Sequence, residues 1–322
     1  MSLPEALQAA VADWLGGRQG SLRPGSAALS ATYRAGGSSA GIDLASYLVA
    51  RLPATFAAVD RVLMELVRLR PDLAPESLLD AGSGPGTASW AAAGHWPGLR
   101  NVTFLDNAPQ FLELASRLAR HGPPPLDGAR AMQGSLEHLP DGLSADLVVA
   151  AYALAELPLE RAASAAEGLW RASGKALALV EPGTPQGFAR LRAARQRLIG
   201  AGAVPVAPCT HALACPIAGE DWCHFSVRLA RSRAHMHAKG ARVPFEDERY
   251  TYLVVARDGS PPAGARIMAP PEHAKPGVTF TTCTQGRLER RHIARREGAA
   301  YKNARKMDWG DLTDPATEED RQ

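Results

Sequence analysis

The chain has 322 residues, enough for one large α/β domain with extensions or for two modest domains. Hydrophobic residues make up 46% and charged residues 21%, a balance that excludes a disordered chain, and no apolar run reaches the length that crosses a bilayer. The net charge of +3 conceals an organised distribution: residues 283–306 hold eight Lys/Arg against two Glu, and residues 307–322 hold six acids against Arg321.

The first 17 residues carry Glu5 and Asp13 inside an amphipathic pattern. They lack both the basic start of a secretory signal and the acid-poor character of a transit peptide, so a cytoplasmic protein with no membrane contact is expected. Residues 1–70 read as a helical region. Leu44, Tyr47, Leu48 and Leu52 recur at helical spacing, as do Val59, Leu63, Leu66 and Val67, with a loop around Gly36, Gly37, Ser38 and Ser39.

From 71 to 200 the rhythm changes to strands over 77–81, 102–105, 147–151 and 176–180, with helices over 110–120, 160–171 and 186–198 between or after them. That alternation predicts an α/β, doubly wound, mostly parallel sheet. Residues 201–310 form a loop-rich region that contributes late strands over 250–256 and 278–283. Residues 311–322 read as a disordered acidic tail.

One turn carries chemistry. Leu78-Leu79-Asp80-Ala81-Gly82-Ser83-Gly84-Pro85-Gly86-Thr87 leaves a strand and opens a helix. Glycines let the backbone approach a ligand closely, and the helix start offers unpaired N–H groups. Asp106 ends the next strand, where a carboxylate accepts from ribose hydroxyls, and Asn107 follows it. The spacing is G-x-G-x-G with Asp80 two residues ahead, rather than the dinucleotide G-x-G-x-x-G. It resembles the first motif of class I S-adenosylmethionine (SAM) methyltransferases; a nicotinamide or flavin cofactor and an inert turn are the alternatives. The segment from Gln133 to Pro140 sits where such enzymes contact adenine, with Glu137 offered in place of an acid at Ser135. After the fourth strand comes Ala151-Tyr152-Ala153-Leu154, not the motif that methylates amino groups of bases. Tyr152 and Glu156 read as packing and surface residues, and no catalytic residue is assigned.

The four cysteines, Cys209, Cys215, Cys223 and Cys283, all lie in the C-terminal part of the chain. Disulfides are not expected in a large cytoplasmic protein, so thiolates gathered by a loop-rich segment suggest a metal site. C-x5-C-x7-C is wider than the close pairs that grip a single zinc. The spacing therefore favours an iron–sulfur cluster, with zinc and unligated thiols left open, and His211 and His224 nearby as substitute ligands.

Pro208-Cys209, Cys215-Pro216, Asp221-Trp222-Cys223-His224-Phe225, the run from Pro244 to Glu248, Arg51-Leu52-Pro53-Ala54-Thr55 and Trp309-Gly310-Asp311 together resemble the mitoribosomal small-subunit methyltransferase-like proteins and their bacterial relatives, over roughly residues 30–311. The resemblance implies a class I methyltransferase fold and a [4Fe–4S] cluster on Cys209, Cys215, Cys223 and Cys283. It also implies action on, or assembly of, the small ribosomal subunit. A SAM-dependent rRNA methyltransferase and a non-catalytic assembly factor both fit it.

Two basic runs bracket the cysteines. Arg228, Arg231 and Arg233, with Lys239 and Arg242 beyond, form one; Arg287, Arg290, Arg291, Arg295, Arg296, Lys302, Arg305 and Lys306 form the other. Clustered Lys/Arg neutralise phosphates, so these residues are the expected RNA face of a monomeric protein.

Overall fold

The computed structural model describes residues 2–16, 43–232, 235, 236 and 241–313. The loop expected at 36–39, Arg233, Lys239 and residues 314–322 of the acidic tail lie outside them. Strand β1 (Ser77–Ala81) is buried from Leu78 to Ala81, as a strand covered by helices on both faces must be. It lies between β2 and β4 in an eight-stranded sheet of order β3-β2-β1-β4-β5-β8-β6, with β7 also paired to β8. The remaining strands are β2 (Asn101–Asp106), β3 (Arg130–Gln133), β4 (Ala145–Ala151), β5 (Ser173–Pro182), β6 (Val204–Ala207), β7 (Phe225–Ala230) and β8 (Phe245–Ala256). The first five run parallel; β8 is antiparallel to β5, β6 and β7. This is the class I methyltransferase-type α/β fold that the glycine turn predicts.

Three elements of this sheet are not legible as strands in the sequence. Strands β6 and β7 fall in the stretch that reads as loop, because β6 is only four residues long and the Arg228 side chain interrupts the apolar pattern of β7. The short strand β3 is mostly exposed, so it carries no buried run to find.

Helix Leu52–Leu69 buries Leu52, Phe56, Val59, Val62, Leu63 and Leu66 against one face of the sheet, and its Pro53 is tolerated in the first turn, where the missing N–H has no partner to lose. Helices Leu159–Ala172 and Pro185–Gly200 pack together on the opposite face with Leu169, Trp170, Leu191, Ala194 and Leu198. Thr184 caps the second of them, its side chain accepting from the Gly187 N–H.

A second, five-stranded sheet follows: β9 (Ala265–Ile267), β10 (Glu272–His273), β11 (Gly277–Thr284), β12 (Arg287–Ala294) and β13 (Leu312–Thr313). It has its own small core of Ile267, Val278, Phe280, Ile293 and Ala304, the last from helix Ala299–Ala304. The buried guanidinium of Arg266 ties it to the first sheet. Its Nη1 donates to Glu65 Oε1 at 2.6 Å and to the Gly310 carbonyl at 2.7 Å, and its Nε donates to the Pro208 carbonyl at 2.9 Å. No described helix is long and apolar enough to cross a membrane.

Candidate functional site

Strands β1, β2 and β4 end along one edge, and a pocket opens there, lined by Tyr47, Gly82, Gly84, Asp106, Asn107, Phe111, Gly134, Ser135, Glu137, Tyr152 and Glu156 among others. The turn after β1 is built for close approach. Gly82 has a φ of 69° and a Cβ there would lie 2.4 Å from the Ala153 Cβ, so only glycine fits. The Gly82 and Ser83 N–H groups donate to the Leu105 carbonyl, which fixes the turn to β2. Asp106 Oδ2 accepts from the Gly84 N–H at 2.8 Å and its Oδ1 from the Ala108 N–H at 2.9 Å. Each oxygen keeps a lone pair for a further donor.

The other acid, Asp80, does not line the pocket. It is buried and its Oδ2 accepts from both the Ser89 N–H and hydroxyl, so it braces the new helix from below. Burial pushes its carboxyl up to about 7 against those hydrogen bonds. Burial also raises Asp106, opposed by the N–H donors of Ala108 and Gly84. Gly86 packs against Phe104 beneath the turn rather than facing the pocket. Glu137 lines the pocket and is paired with Arg161 at 3.1 Å.

Tyr152, read from the sequence as packing, is more than that. It holds a φ of 60°, unusual for a bulky side chain, and it is buried. Its hydroxyl donates to Glu248 Oε1 at 2.8 Å, and the same carboxylate takes the buried Arg51 at 3.3 Å, whose guanidinium lies over the Tyr152 ring. A second cavity begins beyond Tyr152, lined by Arg51, Thr184, Trp222 and residues 246–249.

The four cysteines, separated by up to 74 positions in the chain, line one cavity between helix Pro185–Gly200, β8 and the second sheet. Cys283 comes from β11; the others come from the segment between β6 and β7. All are free thiols. Burial raises Cys209 and raises Cys223 well above the ordinary thiol range, with the neighbouring cysteines adding to the Cys223 shift. Cys283 is pushed up to about 12 by burial, and Cys209 and Cys215 contribute. Among the described residues, no three His, Cys, Asp or Glu side chains stand close enough to hold a single metal ion. Four soft thiol donors lining one cavity are the donor chemistry that thiophilic metals take. His211 borders the same cavity, its Nε2 3.8 Å from Cys283 Sγ and its Nδ1 without a partner among the described residues. His224 instead stacks on Trp222, with ring centroids 5.0 Å apart.

Two arginines of the cavity, Arg195 and Arg266, are absent from the sequence expectations. Arg195 had a signal: it stands on the apolar stripe of its helix between Leu191 and Leu198, where a charge needs a reason. Arg266 follows a loop and carries no such signal.

The two basic runs do not fare alike. Arg228 makes a paired contact with Asp247 at 2.8 Å, and Arg231 faces Glu246 at 3.4 Å, so strand β8 supplies the acids that the run itself lacks. In the second run, Arg290 pairs with Glu272 at 2.7 Å and Arg287 with Glu289 at 3.7 Å. Arg295, Arg296, Lys302, Arg305 and Lys306 are exposed on the short 3-10 turn and helix beyond β12, and Arg291 is half-buried.

A mitochondrial ribosome assembly protein of Homo sapiens, METTL17, is 32% identical over 292 residues, which cover 83% of this chain and 61% of that protein. The mitochondrial Rsm22-cox11 tandem protein 2 of Schizosaccharomyces pombe is 25% identical over 325 residues, covering 83% of this chain and 42% of that protein. The chain thus spans less than two thirds of the length of these relatives. Among solved structures, a magnesium protoporphyrin IX methyltransferase from Synechocystis has 17% identity and a TM-score of 0.43, covering 73% of this chain and 96% of that one, a likeness too low to add to the fold just described.

Both relatives are mitochondrial proteins, and this overturns the cytoplasmic expectation. That expectation rested on Glu5 and Asp13, which belong to helix Glu5–Leu15; the helix buries Leu7, Ala10 and Leu15 in the fold, so its amphipathic pattern reflects packing and not location. With residues 42–314 matching the model of mitochondrial small ribosomal subunit Rsm22, the chain belongs to the Rsm22 family.

Proposed function

We propose that this chain is a SAM-binding, methyltransferase-type protein of small-ribosomal-subunit assembly whose four cysteines hold a [4Fe–4S] cluster. The observation that carries the reading is the gathering of Cys209, Cys215, Cys223 and Cys283 on one cavity between the two sheets. Thiols raised by burial become ligands once a metal displaces their protons. The group would then fasten the second sheet, with its exposed cations, to the cofactor-binding sheet.

In the pocket at the edge of β1, β2 and β4, Asp106 would take the ribose hydroxyls, the turn from Gly82 to Gly86 would pass under the methionine portion, and Ser135, Glu137 and Asn107 would border the adenine. Arg295, Arg296, Lys302, Arg305 and Lys306 would meet rRNA phosphates together with Arg287, Arg290 and Arg291. Arg228 and Arg231 contribute less, since strand β8 already neutralises them.

The experiment is anaerobic purification with iron and sulfide analysis, followed by co-sedimentation with small ribosomal subunits. Wild type is expected to be coloured and to bind. Cys223→Ser is expected to lose colour and binding together; retained binding without the cluster would discard the reading. A second reading, methyl transfer to rRNA, is favoured by the cavity beyond Tyr152, which adjoins the SAM pocket as an acceptor site must. Tritiated SAM with small-subunit RNA, compared between wild type and Gly84→Arg, tests it; equal background counts would leave assembly alone.

A further inference from the structure

We infer that Arg195 and Arg266 are the charge-balancing and positioning residues of the cysteine cavity, Arg195 acting on the Cys209 sulfur and Arg266 on an acceptor atom of the group held there. The inference rests on the reading of the cavity as a metal centre and goes beyond it by naming what surrounds the ligands.

Both guanidiniums line the cavity and are buried, 6% exposed for Arg195 and 1% for Arg266. Every partner of Arg195 lies on the cysteine-bearing segment. Its Nε donates to Cys209 Sγ at 3.2 Å, and its Nη2 donates to the His211 carbonyl at 2.8 Å and the Leu213 carbonyl at 2.9 Å. No carboxylate among the described residues pairs with it. A buried cation with only neutral partners is strongly disfavoured, so the fold keeps Arg195 there at a cost that an anion in the cavity would remove.

Arg266 points the same way by a different route. Its Nε and Nη1 are used, on Pro208, Glu65 and Gly310, while its Nη2 is buried with no acceptor among the described residues. A guanidinium nitrogen is not left unpaired without reason. Glu65 is already shared with Arg68 at 2.8 Å, so it does not fully balance Arg266.

Four thiolates around an oxidised [4Fe–4S] core carry a net charge of about −2, and both their sulfurs and the core sulfides accept hydrogen bonds. Such a group answers both anomalies at once: it supplies the missing anion for Arg195 and the missing acceptor for Arg266. The positions also matter. Arg195 projects from the helix that packs on the methyltransferase-type sheet, and Arg266 belongs to the second sheet, so the two tie the segment from Pro208 to Leu213 to both parts of the fold. Partners of this kind hold ligands in place and tune the centre through hydrogen bonds to sulfur.

The test uses the full chain reconstituted anaerobically with ferrous iron and sulfide. Arg195→Gln, Arg195→Lys and the exposed neighbour Arg192→Gln, which borders the same cavity, are compared with wild type. Three quantities are read: the midpoint potential, the rate of bleaching by a chelator, and the rise in Tm between the metal-free and loaded forms. Arg195→Gln is expected to lower the midpoint potential, because a lost positive charge disfavours the reduced centre, and to weaken metal retention by about 10–100-fold. Its gain in Tm on loading should shrink. Arg195→Lys should fall between, keeping the charge and losing the Nε–sulfur bond, and Arg192→Gln should match wild type. A purely structural arginine would lower the Tm of both forms equally and leave the potential unmoved; that result overturns the inference, as does an Arg195→Lys variant identical to wild type if Arg195→Gln fails to fold. A wild-type chain that takes up no iron overturns the metal-centre reading underneath, and this inference with it. A loaded wild type indifferent to Arg195 overturns this inference alone.

Discussion

Glu181 ends β5 with no exposed surface, its Oε1 accepting from the Leu154 N–H at 3.0 Å and its Oε2 without a partner among the described residues. Burial raises its carboxyl from an ordinary 4.5 to about 8. Between those values the unfolded chain has released a proton that the folded chain keeps. Stability from this group is therefore full below about pH 4.5 and falls as pH climbs to about 8. Asp80, raised to about 7, adds a slope of the same sign over a lower window. Glu181→Gln preserves the acceptor and removes the ionisation, so urea unfolding should show a smaller loss of stability from pH 5 to pH 8 than wild type; an unchanged loss would refute the assignment.

Gly82→Ala is the sharper residue-scale change. Its Cβ would meet the Ala153 Cβ at 2.4 Å with φ at 69°, a strain of about 1–3 kcal/mol. Calorimetry should find SAM binding lost as well, and unaltered affinity would argue against the pocket. The glycine turn was legible because a backbone that must pass close to a ligand selects glycine at fixed spacing. Glu181, Arg266 and the partner of Tyr152 were not, because an acid or arginine outside a periodic pattern does not reveal whether it is buried.

At the scale of elements, strands buried on both faces announce themselves as apolar runs, and β1, β2, β4, β5 and β11 fall where the pattern predicts them. The strand β12 was read only as a basic run. Its first four residues are all exposed and Ile293 is its one buried side chain, yet it pairs along its whole length with β11, so pairing rather than composition makes it a strand. Beyond it, Arg295, Arg296, Lys302, Arg305 and Lys306 extend the exposed positive surface. If this element meets rRNA, Arg295→Glu with Arg296→Glu should weaken binding to every RNA sequence alike. The log–log salt slope should become shallower by roughly 0.7–0.9 for each phosphate that is no longer neutralised. Filter binding across salt concentrations measures this, and an unchanged slope would place the RNA elsewhere on the surface. The same substitutions on Arg228 should have the smaller effect, because Asp247 already holds that guanidinium.

For the whole molecule, the junction between the two sheets runs through a few groups: the Arg266 network with Glu65, Pro208 and Gly310, the ion pair of Arg61 with Asp311 at 3.7 Å, and the cysteine cavity. Among the described residues the second sheet's own hydrophobic cluster has five buried side chains, a small core that leans on the first sheet for support. Stripping the proposed metal with a chelator should therefore raise amide hydrogen exchange in residues 209–223 and 265–313, while β1, β4 and β5 stay protected. Uniform exchange across both sheets would show that the centre does not fasten them.

The buried strands of the first sheet with the helices between them, the glycine turn with its two acids and the four cysteines were determined by the sequence itself, since hydrophobic period, positive φ and thiol chemistry are local properties of residues. Which thiols share a cavity, which arginines are buried beside them and which cations of the basic runs are already neutralised were decided only by tertiary structure. Those are distances between residues tens to hundreds of positions apart, and burial in a common low-dielectric space, which no local pattern encodes, sets their chemistry.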